Sequence, residues 1–371
     1  MATEPRAVPL KERPKPFGPL REGVRHTTVA GLLERGALPL LLVGLILLFS
    51  VLSSTGDTFR SSGNINAILG NQSVTGIIAL AMVVPLVAGY FDLSVSAVAG
   101  LANVGMASAI AQHHTSVLVG ILVALGIGLI AGTVNGLLVA GLKLDALVVT
   151  LGTYTFAGGL IQLYTHGTTI INGIPLSLSS WSSEKWIGVP KPFVLLIVVA
   201  IIVWYVLMHV PFGRKLEGIG SNSVAARLVG MRVNRLVFMS FIVSGLLAAI
   251  AGILLTSSTG SANPTAGPSY LFAALAAVFI GSTAIRPGRY NVWGTILGVF
   301  LVAVAVDGFT LMGAESWVNQ IFNGGALVIA VAVSTLMGRR REAQARKASA
   351  RQAATSASSP VAGAAPAQPS S

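Results

Sequence analysis

Long apolar runs separated by short polar segments recur along most of the chain. A helix that crosses the hydrocarbon layer of a bilayer, roughly 30 Å thick, needs about 20 mainly apolar residues. A window of about that length gives candidate spans at residues 37–54, 65–88, 93–112, 116–140, 146–165, 193–210, 236–258, 270–284, 291–308 and 318–337. The pattern therefore predicts an all-α, polytopic membrane protein of about ten transmembrane helices.

The two ends of the chain differ from this apolar centre. Residues 1–36 are polar, basic and proline-bearing, and they contain no visible cleavable signal peptide, so the first apolar run is predicted to be a span. Residues 339–371 consist mainly of Ala, Ser, Pro and Gln after three arginines, a composition that cannot offset the entropy of ordering. We expect a basic cytoplasmic tail over 1–36, a transmembrane domain over 37–338 and a disordered cytoplasmic tail over 339–371.

Charge supports the membrane interpretation and indicates the orientation. Only 10% of the residues are charged, against about a quarter in soluble domains. The net charge is +12, but the basic residues lie between apolar runs and at the chain ends, which argues against a nucleic-acid patch. If the chain has ten spans and a cytoplasmic N-terminus, only three of the 24 Lys and Arg lie on the outer side of the membrane: Arg60, Lys185 and Lys191. The positive-inside rule therefore predicts a plasma-membrane protein with both termini cytoplasmic.

The spacing of glycine predicts close contacts between helices. Gly128, Gly132 and Gly136 form two consecutive GxxxG steps, and Gly294 with Gly298 forms another. Small residues on one face allow helix backbones to approach closely in lipid, where the hydrophobic effect does not drive helices together. These five glycines are therefore assigned to helix packing.

Two glycine-containing segments also resemble each other. Residues 293–302 align with residues 131–140 at an offset of 162 positions (293 against 131), and the same offset carries Asp145 onto Asp307. In the predicted topology the fourth and ninth spans run in opposite directions. The alignment therefore predicts an inverted internal repeat, which is typical of transport proteins.

Motifs for catalysis, metal binding and nucleotide binding are absent from the sequence. There is no cysteine, which excludes a disulfide, a thiolate metal site and a Cys nucleophile. There is also no Gly-x-x-x-x-Gly-Lys-[Ser/Thr] phosphate loop, no His-Glu-x-x-His and no pair of carboxylates on one helix face. We therefore predict no catalytic, cofactor-binding or metal-binding residue in this chain.

The longest predicted cytoplasmic loop, residues 213–235, contains signals for a short helix. Ser221 or Asn222 can cap a helix over residues 223–228, and Gly230 can end it. Ala225, Ala226 and Leu228 would form a small apolar knob on this helix, with the charge of Arg227 beside it. From the residues alone, the segment is equally well a folded connector or a knob that fits a groove on a cytoplasmic partner.

The loop resembles the cytoplasmic coupling segment in permease subunits of ribose-type, or simple-sugar, ABC importers. Phe91-Asp-Leu-Ser94 is similar to the Gly-Gly-Ile-Asp-Leu-Ser-Val-Gly signature of that family. Further similar stretches, in chain order, are Asn135-Gly-Leu-Leu-Val139, Val149-Thr-Leu-Gly-Thr153, Asn263-Pro-Thr-Ala-Gly267 and Ala276-Ala-Val-Phe-Ile-Gly281. The chain departs from the family in Gly89-Tyr-Phe91, where Gly-Gly-Ile is usual, and in Arg286-Pro-Gly-Arg289, which replaces a more Gly-rich turn.

The resemblance implies a set of partners. It implies a membrane core of two permeases, either two copies of this chain or this chain and a paralogue. Separate cytoplasmic ABC ATPase subunits would bind ATP and Mg and drive the core, while an extracytoplasmic solute-binding protein would deliver a sugar or sugar-like solute. The residues it assigns to ATPase coupling are Gly218, Ser221, Asn222, Ala225, Ala226, Arg227, Leu228 and Gly230.

Polar residues within the stretches that resemble the family are candidates for the gate or the transport path. They are Asp92, Ser94, Asn135, Thr150 and Thr153. Asp92 can cap the third span or act as a polar latch at the inner gate. The two threonines can line the path or bond back to their own helix.

Two other classes of protein remain as alternatives. An ion-gradient-driven secondary transporter also uses inverted repeats, but it needs charged groups within the membrane. Only Asp92 and Asp307 qualify, and both are predicted near span ends. A purely structural membrane scaffold is the other alternative, and the resemblance favours the ATP-driven importer over both.

Overall fold

The computed structural model describes residues 29–315, 317–333 and 336. The predicted tail at 339–371 and most of the tail at 1–36 lie outside these residues. The main helices are α1 (Val29–Val51), α3 (Ser62–Val87), α4 (Val95–Ala111), α5 (Val117–Gly136), α6 (Ala146–Thr165), α8 (Lys191–Met208), α11 (Val233–Thr259), α12 (Ala266–Gly281), α13 (Val292–Leu311) and α14 (Trp317–Val333).

Shorter elements connect these helices. They are α2 (Gly56–Phe59), α7 (Leu176–Ser183), α9 (Pro211–Ser221) and α10 (Ser223–Leu228), together with a hairpin of β1 (Lys185–Trp186) and β2 (Val189–Pro190). A π-helical turn over Leu137–Gly141 extends α5. The helix α1 begins already at Val29, ahead of the predicted span start at residue 37.

The helices coincide with the predicted apolar windows. In the part of the chain that the structure describes, six helices are long and apolar enough to cross a membrane: α3, α5 with its π-helical turn, α6, α8, α11 and α13. Shorter apolar helices occupy the other windows, at Gly36–Val51 of α1, α4, α12 and α14. The all-α, polytopic class is therefore confirmed.

The centre of the bundle is formed by α3 and α11. Every residue of α3 from Ser73 to Leu86 is buried, and α11 packs against α3, α4 and α5. By contrast, α5 and α8 expose large aliphatic side chains such as Leu118, Ile130 and Ile202. Exposed apolar side chains on the outer helices suit contact with lipid hydrocarbon.

The helices α3 and α11 run antiparallel. The C-terminal end of α3 meets α9, where Gly220 packs on the backbone of Val87, and α11 begins beside the same helix. At the other end α3 contacts β2. There the Ser257 hydroxyl of α11 donates to the Leu178 carbonyl of α7 at 2.7 Å.

Helix starts recur with a constant spacing along the chain. Residue 62 begins α3 and residue 233 begins α11, and the starts of α4 and α12 (95 and 266) and of α6 and α14 (146 and 317) are also 171 positions apart. The positive-φ glycines Gly89 and Gly260, which follow α3 and α11, have the same spacing. The structure therefore relates the two parts of the chain at an offset of 171.

The predicted alignment at an offset of 162 does not relate equivalent positions. Residues 131–140 lie at the C-terminal end of α5 and in its π-helical turn, whereas residues 293–302 lie at the N-terminal end of α13. Asp145 is the N-cap of α6, but Asp307 lies inside α13. Both segments are rich in small residues because each makes a close helix contact. This shared packing explains why the two sequences are similar although they do not occupy equivalent positions in a repeat.

The glycine faces lie against neighbouring backbones. A Cβ atom added to Gly132 would be 2.5 Å from the Phe241 carbonyl oxygen of α11, and Gly128 and Gly136 also face α11. Both glycines of α13 face α12: Gly294 faces Gly281, and Gly298 faces the carbonyl group of Ala277.

Candidate functional site

The predicted gate residues come together in one buried hydrogen-bonded group. Asp92 Oδ1 accepts from the Ser94 backbone N–H at 3.1 Å and from the Ser94 hydroxyl at 2.6 Å. Its other oxygen, Oδ2, accepts from the Ser244 hydroxyl at 2.7 Å. Asp92 is only 3% exposed, so these bonds replace those that water would make.

Two further helices join this group through an asparagine. Asn135 Nδ2 donates to the Ser94 hydroxyl oxygen at 2.9 Å, and Asn135 Oδ1 accepts from the Thr153 hydroxyl at 2.6 Å. The Thr150 hydroxyl accepts from the Leu93 backbone N–H at 3.1 Å. We call the six residues that share these bonds the polar cluster: Asp92, Ser94, Asn135, Thr150, Thr153 and Ser244.

The polar cluster connects α5, α6, α11 and the segment that leads into α4. Asp92 is not the N-cap of α4, because that helix begins at Val95 with Ser94 in the capping position. Both threonines also bond back to their own helix, Thr150 to the Ala146 carbonyl at 2.8 Å and Thr153 to the Val149 carbonyl at 3.1 Å. A movement of α6 away from α5 breaks the bond between Thr153 and Asn135, and a movement away from the segment that leads into α4 breaks the bond between Leu93 and Thr150.

Ser244 is the member of the polar cluster that sequence reasoning missed. It lies within the apolar run of α11 and is fully buried. Its neighbour in the chain, Gly245, packs on the backbone of Gly128, so α5 and α11 approach closely at this level. A hydroxyl beside a packing glycine in an apolar run was the only signal available.

The local geometry at Asp92 recurs in the second part of the chain. Asn263 Oδ1 accepts from both the Thr265 backbone N–H and the Thr265 hydroxyl, each at 2.9 Å. Asn263 and Thr265 lie 171 positions after Asp92 and Ser94, the spacing already found for the helix starts. Unlike Asp92, the second pair is exposed.

Asp307 lies beside the first turn of α3. Its Oδ2 accepts from Asn64 Nδ2 at 2.8 Å, and Asn64 follows closely on the N-cap Ser61. A carboxylate close to a helix N-terminus is stabilised by the helix dipole. Among the described residues no group of three or more His, Cys, Asp or Glu could hold a metal ion.

The predicted coupling loop contains two helices, of which sequence reasoning found one. The missed helix, α9, buries Leu216 and Ile219 and begins with Pro211 at its first position. Phe212, Leu216 and Ile219 have the helical spacing of an apolar face, which was the available signal. Gly218 and Ser221 belong to α9, where the Ser221 hydroxyl donates to the Glu217 carbonyl at 3.0 Å.

The second helix, α10, forms where it was predicted. Asn222 Oδ1 accepts from the Ala225 backbone N–H at 2.9 Å and caps the helix, and Gly230 follows its end with a φ of +82°. The predicted apolar knob, however, was partly wrong. Ala226 is only 3% exposed because it faces the core, whereas Leu228 is 84% exposed.

The apolar side chains that this segment exposes are not all those of the predicted knob. We call it the coupling knob, and it consists of Val224, Ala225, Leu228 and Val229, beside the exposed Arg227. Exposed apolar side chains clustered on a short connecting segment indicate a surface that is covered by a partner.

We expect Asp92→Leu to destabilise the protein far more than Asp92→Asn. Leucine leaves the hydroxyls of Ser94 and Ser244 without their acceptor, and each buried unpaired group costs about 1–3 kcal/mol. Asparagine keeps an acceptor for Ser94 and can donate to Ser244. Thermal unfolding of the purified protein measures the difference, with Ser244→Ala as the control that removes a single hydrogen bond.

Equal melting temperatures for the two Asp92 variants would contradict a hydrogen-bonding role of this carboxylate. In that case the polar cluster would contribute nothing to the packing of α11 against the segment that leads into α4.

Comparison with known proteins places the chain among transport permeases. A family model described as "Branched-chain amino acid transport system / permease component" matches residues 64–331. The chain is 33% identical over 302 residues to the ribose import permease protein RbsC of Haemophilus influenzae, covering 81% of this chain and 93% of the relative. No solved structure matches the chain.

Two other relatives are also named as import permeases. The ribose import permease protein RbsC of Bacillus subtilis is 34% identical over 302 residues, covering 81% of this chain and 92% of its own. The autoinducer 2 import system permease protein LsrC of Photorhabdus laumondii is 31% identical over 293 residues, covering 79% and 87%.

Proposed function

The chain belongs to the family of ABC-importer permeases that includes the ribose and autoinducer-2 import permeases, and we propose that it carries a sugar or sugar-like solute across the membrane. It is a multi-pass protein of the inner membrane and a transport subunit rather than an enzyme. The observation that carries the proposal is the similarity along nearly the whole length of the ribose import permeases.

The energy for transport comes from separate ATPase subunits, which bind ATP and Mg. Two features support this assignment: the sequence has no phosphate loop, and the coupling knob is exposed next to an arginine. ATP-driven closure of the ATPases would displace α9 and α10. That displacement would favour one of two packings of the bundle.

The topology has ten crossings with both termini in the cytoplasm. The ten apolar helices among the described residues, counting the shorter ones, and the placement of the basic residues support it. The antiparallel α3 and α11, the spacing of 171 and the matching turns at Asp92 and Asn263 support an inverted repeat. In this arrangement the polar cluster belongs to the cytoplasmic half of the membrane, since α9 lies at that end.

The solute path lies between two permeases, either two copies of this chain or this chain and a paralogue. One face of α6 supports this location, because Gly152, Thr155, Gly159 and Gln162 follow each other at helical spacing and are all exposed. A Cβ atom added to either glycine would meet nothing within 4 Å. Exposed polar groups on a spanning helix favour a water-filled path over lipid.

A solute-binding protein on the outer side delivers the solute. Neutral hydroxyl and amide groups on α6 suit a hydroxyl-rich solute, because they exchange hydrogen bonds with it without holding it tightly. The family model's description names branched-chain amino acids, so a branched-chain amino acid is the second candidate class.

The test is uptake by the host cell before and after deletion of this chain. We expect deletion to abolish the uptake of one pentose, hexose or sugar-like solute and to leave leucine uptake unchanged. Depletion of ATP should stop the uptake in the parent strain, whereas collapse of the proton and sodium gradients at constant ATP should not. Uptake that follows an ion gradient without ATP, or loss of leucine uptake alone, would contradict the proposal.

A further inference from the structure

A cavity of about 300 Å³ lies where α9 meets the α12–α13 connection, residues 282–291. The C-terminal ends of α3 and α8 provide an apolar wall with Leu86, Leu207 and Met208. The cavity is therefore bordered on one side by the ends of spanning helices and on the other by polar connecting segments.

The polar side of the cavity carries an excess of positive charge. Arg286 and Arg289 from the α12–α13 connection and Glu217 from α9 line it. The Arg289 guanidinium forms an ion pair with the Glu217 carboxylate, whereas the Arg286 side chain forms no ion pair with any residue that the structure describes. These three groups leave one positive charge uncompensated, and all of them are at least partly exposed to solvent.

Aromatic side chains lie at the same depth along the helices as the cavity. Trp204 of α8 lies 6.4 Å from Trp293 of α13 between ring centroids, and His209 lies 4.9 Å from Trp204. Burial raises the pKa of Tyr290, which lines the cavity, to about 12, so its hydroxyl stays protonated and can donate. Tryptophan and tyrosine are enriched where the bilayer meets water, which places the cavity at the level of the lipid headgroups.

We propose that this cavity binds the headgroup phosphate of an anionic phospholipid from the cytoplasmic leaflet. The Arg286 guanidinium supplies the uncompensated charge, and Arg289 adds a second donor when it turns from Glu217. The apolar wall of Leu86, Leu207 and Met208 receives the first methylene groups of an acyl chain.

The choice of a lipid rests on the combination of charge and apolar surface. A free phosphate ion would use the arginines but gain nothing from the apolar wall. A zwitterionic lipid also offers a phosphate, but its ammonium group would add a positive charge beside Arg286 and Arg289, whereas an anionic lipid leaves their charge compensated. Bound lipid would hold α9 against the α12–α13 connection. Because α9 leads directly into α10, the anionic lipid would adjust the position of the coupling knob.

Native mass spectrometry of the purified chain after exchange into mixed phosphatidylcholine and phosphatidylglycerol tests this binding. We expect the wild type to retain one phosphatidylglycerol molecule that Arg286→Ala retains about fivefold less, the effect of one basic group at a membrane surface. Arg235→Ala, which removes an exposed arginine outside the cavity, should behave as the wild type. Glu217→Gln should retain more lipid, because Arg289 loses its carboxylate partner.

Three outcomes would overturn the proposal. The first is equal retention by the wild type and Arg286→Ala when both elute as folded protein. The second is an equal loss in Arg235→Ala, which would indicate general attraction to basic surface. The third is displacement of the lipid by millimolar inorganic phosphate, which would identify a free-phosphate site instead. The cytoplasmic location rests on the proposed topology, but lipid retention needs no solute, so failure of the transport proposal would be detected separately.

Discussion

Gly132→Val is expected to prevent α5 from packing on α11 and to abolish folded protein in the membrane. An added Cβ would be 2.5 Å from the Phe241 carbonyl oxygen and 2.9 Å from the Ile242 Cα. Both are backbone atoms, so no side-chain rotation relieves the overlap. The amount of protein that elutes as a single species after mild detergent extraction measures the loss.

The matched control for this substitution is on the same helix. Gly126 of α5 has nothing within 4 Å of an added Cβ, so Gly126→Val introduces the same side chain without a clash. We expect this variant to extract and elute as the wild type. A similar loss in both variants would show that valine harms α5 in general and that contact with α11 is not the cause.

The close approach of α5 and α11 also explains the polar cluster. Gly128 and Gly245 lie backbone to backbone, and this brings Asn135 of α5 and Ser244 of α11 to opposite ends of one hydrogen-bonded chain through Ser94 and Asp92. The glycine contacts thus set the distance between α5 and α11 that the hydrogen bonds of the polar cluster must span. We expect Gly132→Val to disrupt the polar cluster as well as the helix contact.

Local signals in the sequence were sufficient for the elements that depend on neighbouring residues. Asn222 and Gly230 define α10 because a cap and a positive-φ stop act within a few residues. The long apolar runs define the spanning helices for the same reason, since each run satisfies its own backbone hydrogen bonds.

The orientation of α10 could not be read in the same way. Its six residues have apolar side chains on several sides, so the residue that faces the core is decided by where α9 and α11 lie. Ala226 faces inward because it is small enough for close contact, and Leu228 is left outside. The knob predicted from composition therefore included one wrong residue and omitted two.

The contacts within the polar cluster also depend on the tertiary fold. Five of its members were found through resemblance to a family, each as a separate candidate. That Asn135 bonds to both Ser94 and Thr153 follows from the packing of α5 between the α4 segment and α6. The apparent repeat at 162 failed for a related reason, because small residues recur wherever helices touch and do not mark equivalent positions.

Leu228→Asp is expected to detach the ATPase and abolish ATP-driven uptake without unfolding the permease. Leu228 is 84% exposed and belongs to the coupling knob, so the substitution breaks no buried contact within the chain. In the assembled transporter the partner would cover this side chain, and an aspartate there would be a buried, unpaired charge. Copurification of the ATPase measures association, and uptake in the same cells measures coupling.

Two substitutions separate this effect from general damage. Leu176→Asp places the same charge on a leucine that is 81% exposed at the start of α7, beside the C-terminal end of α11, and it should leave ATPase association intact. Ala226→Asp introduces a charge at a buried position and should reduce the folded fraction itself. If Leu176→Asp and Leu228→Asp release the ATPase equally, the coupling knob is not the contact.

The absence of cysteine allows the same two positions to report the orientation. In membranes that contain the permease without the ATPase, Leu228→Cys should react with a membrane-impermeant maleimide only when the cytoplasmic face is accessible, whereas Leu176→Cys should react in intact cells. Because α9 and α10 lie at one end of α11 and α7 lies at the other, the two labels must appear on opposite faces. Labelling of Leu228→Cys from outside would place the coupling knob where no ATPase can reach it, and the ATP-driven mechanism would then fail together with the topology.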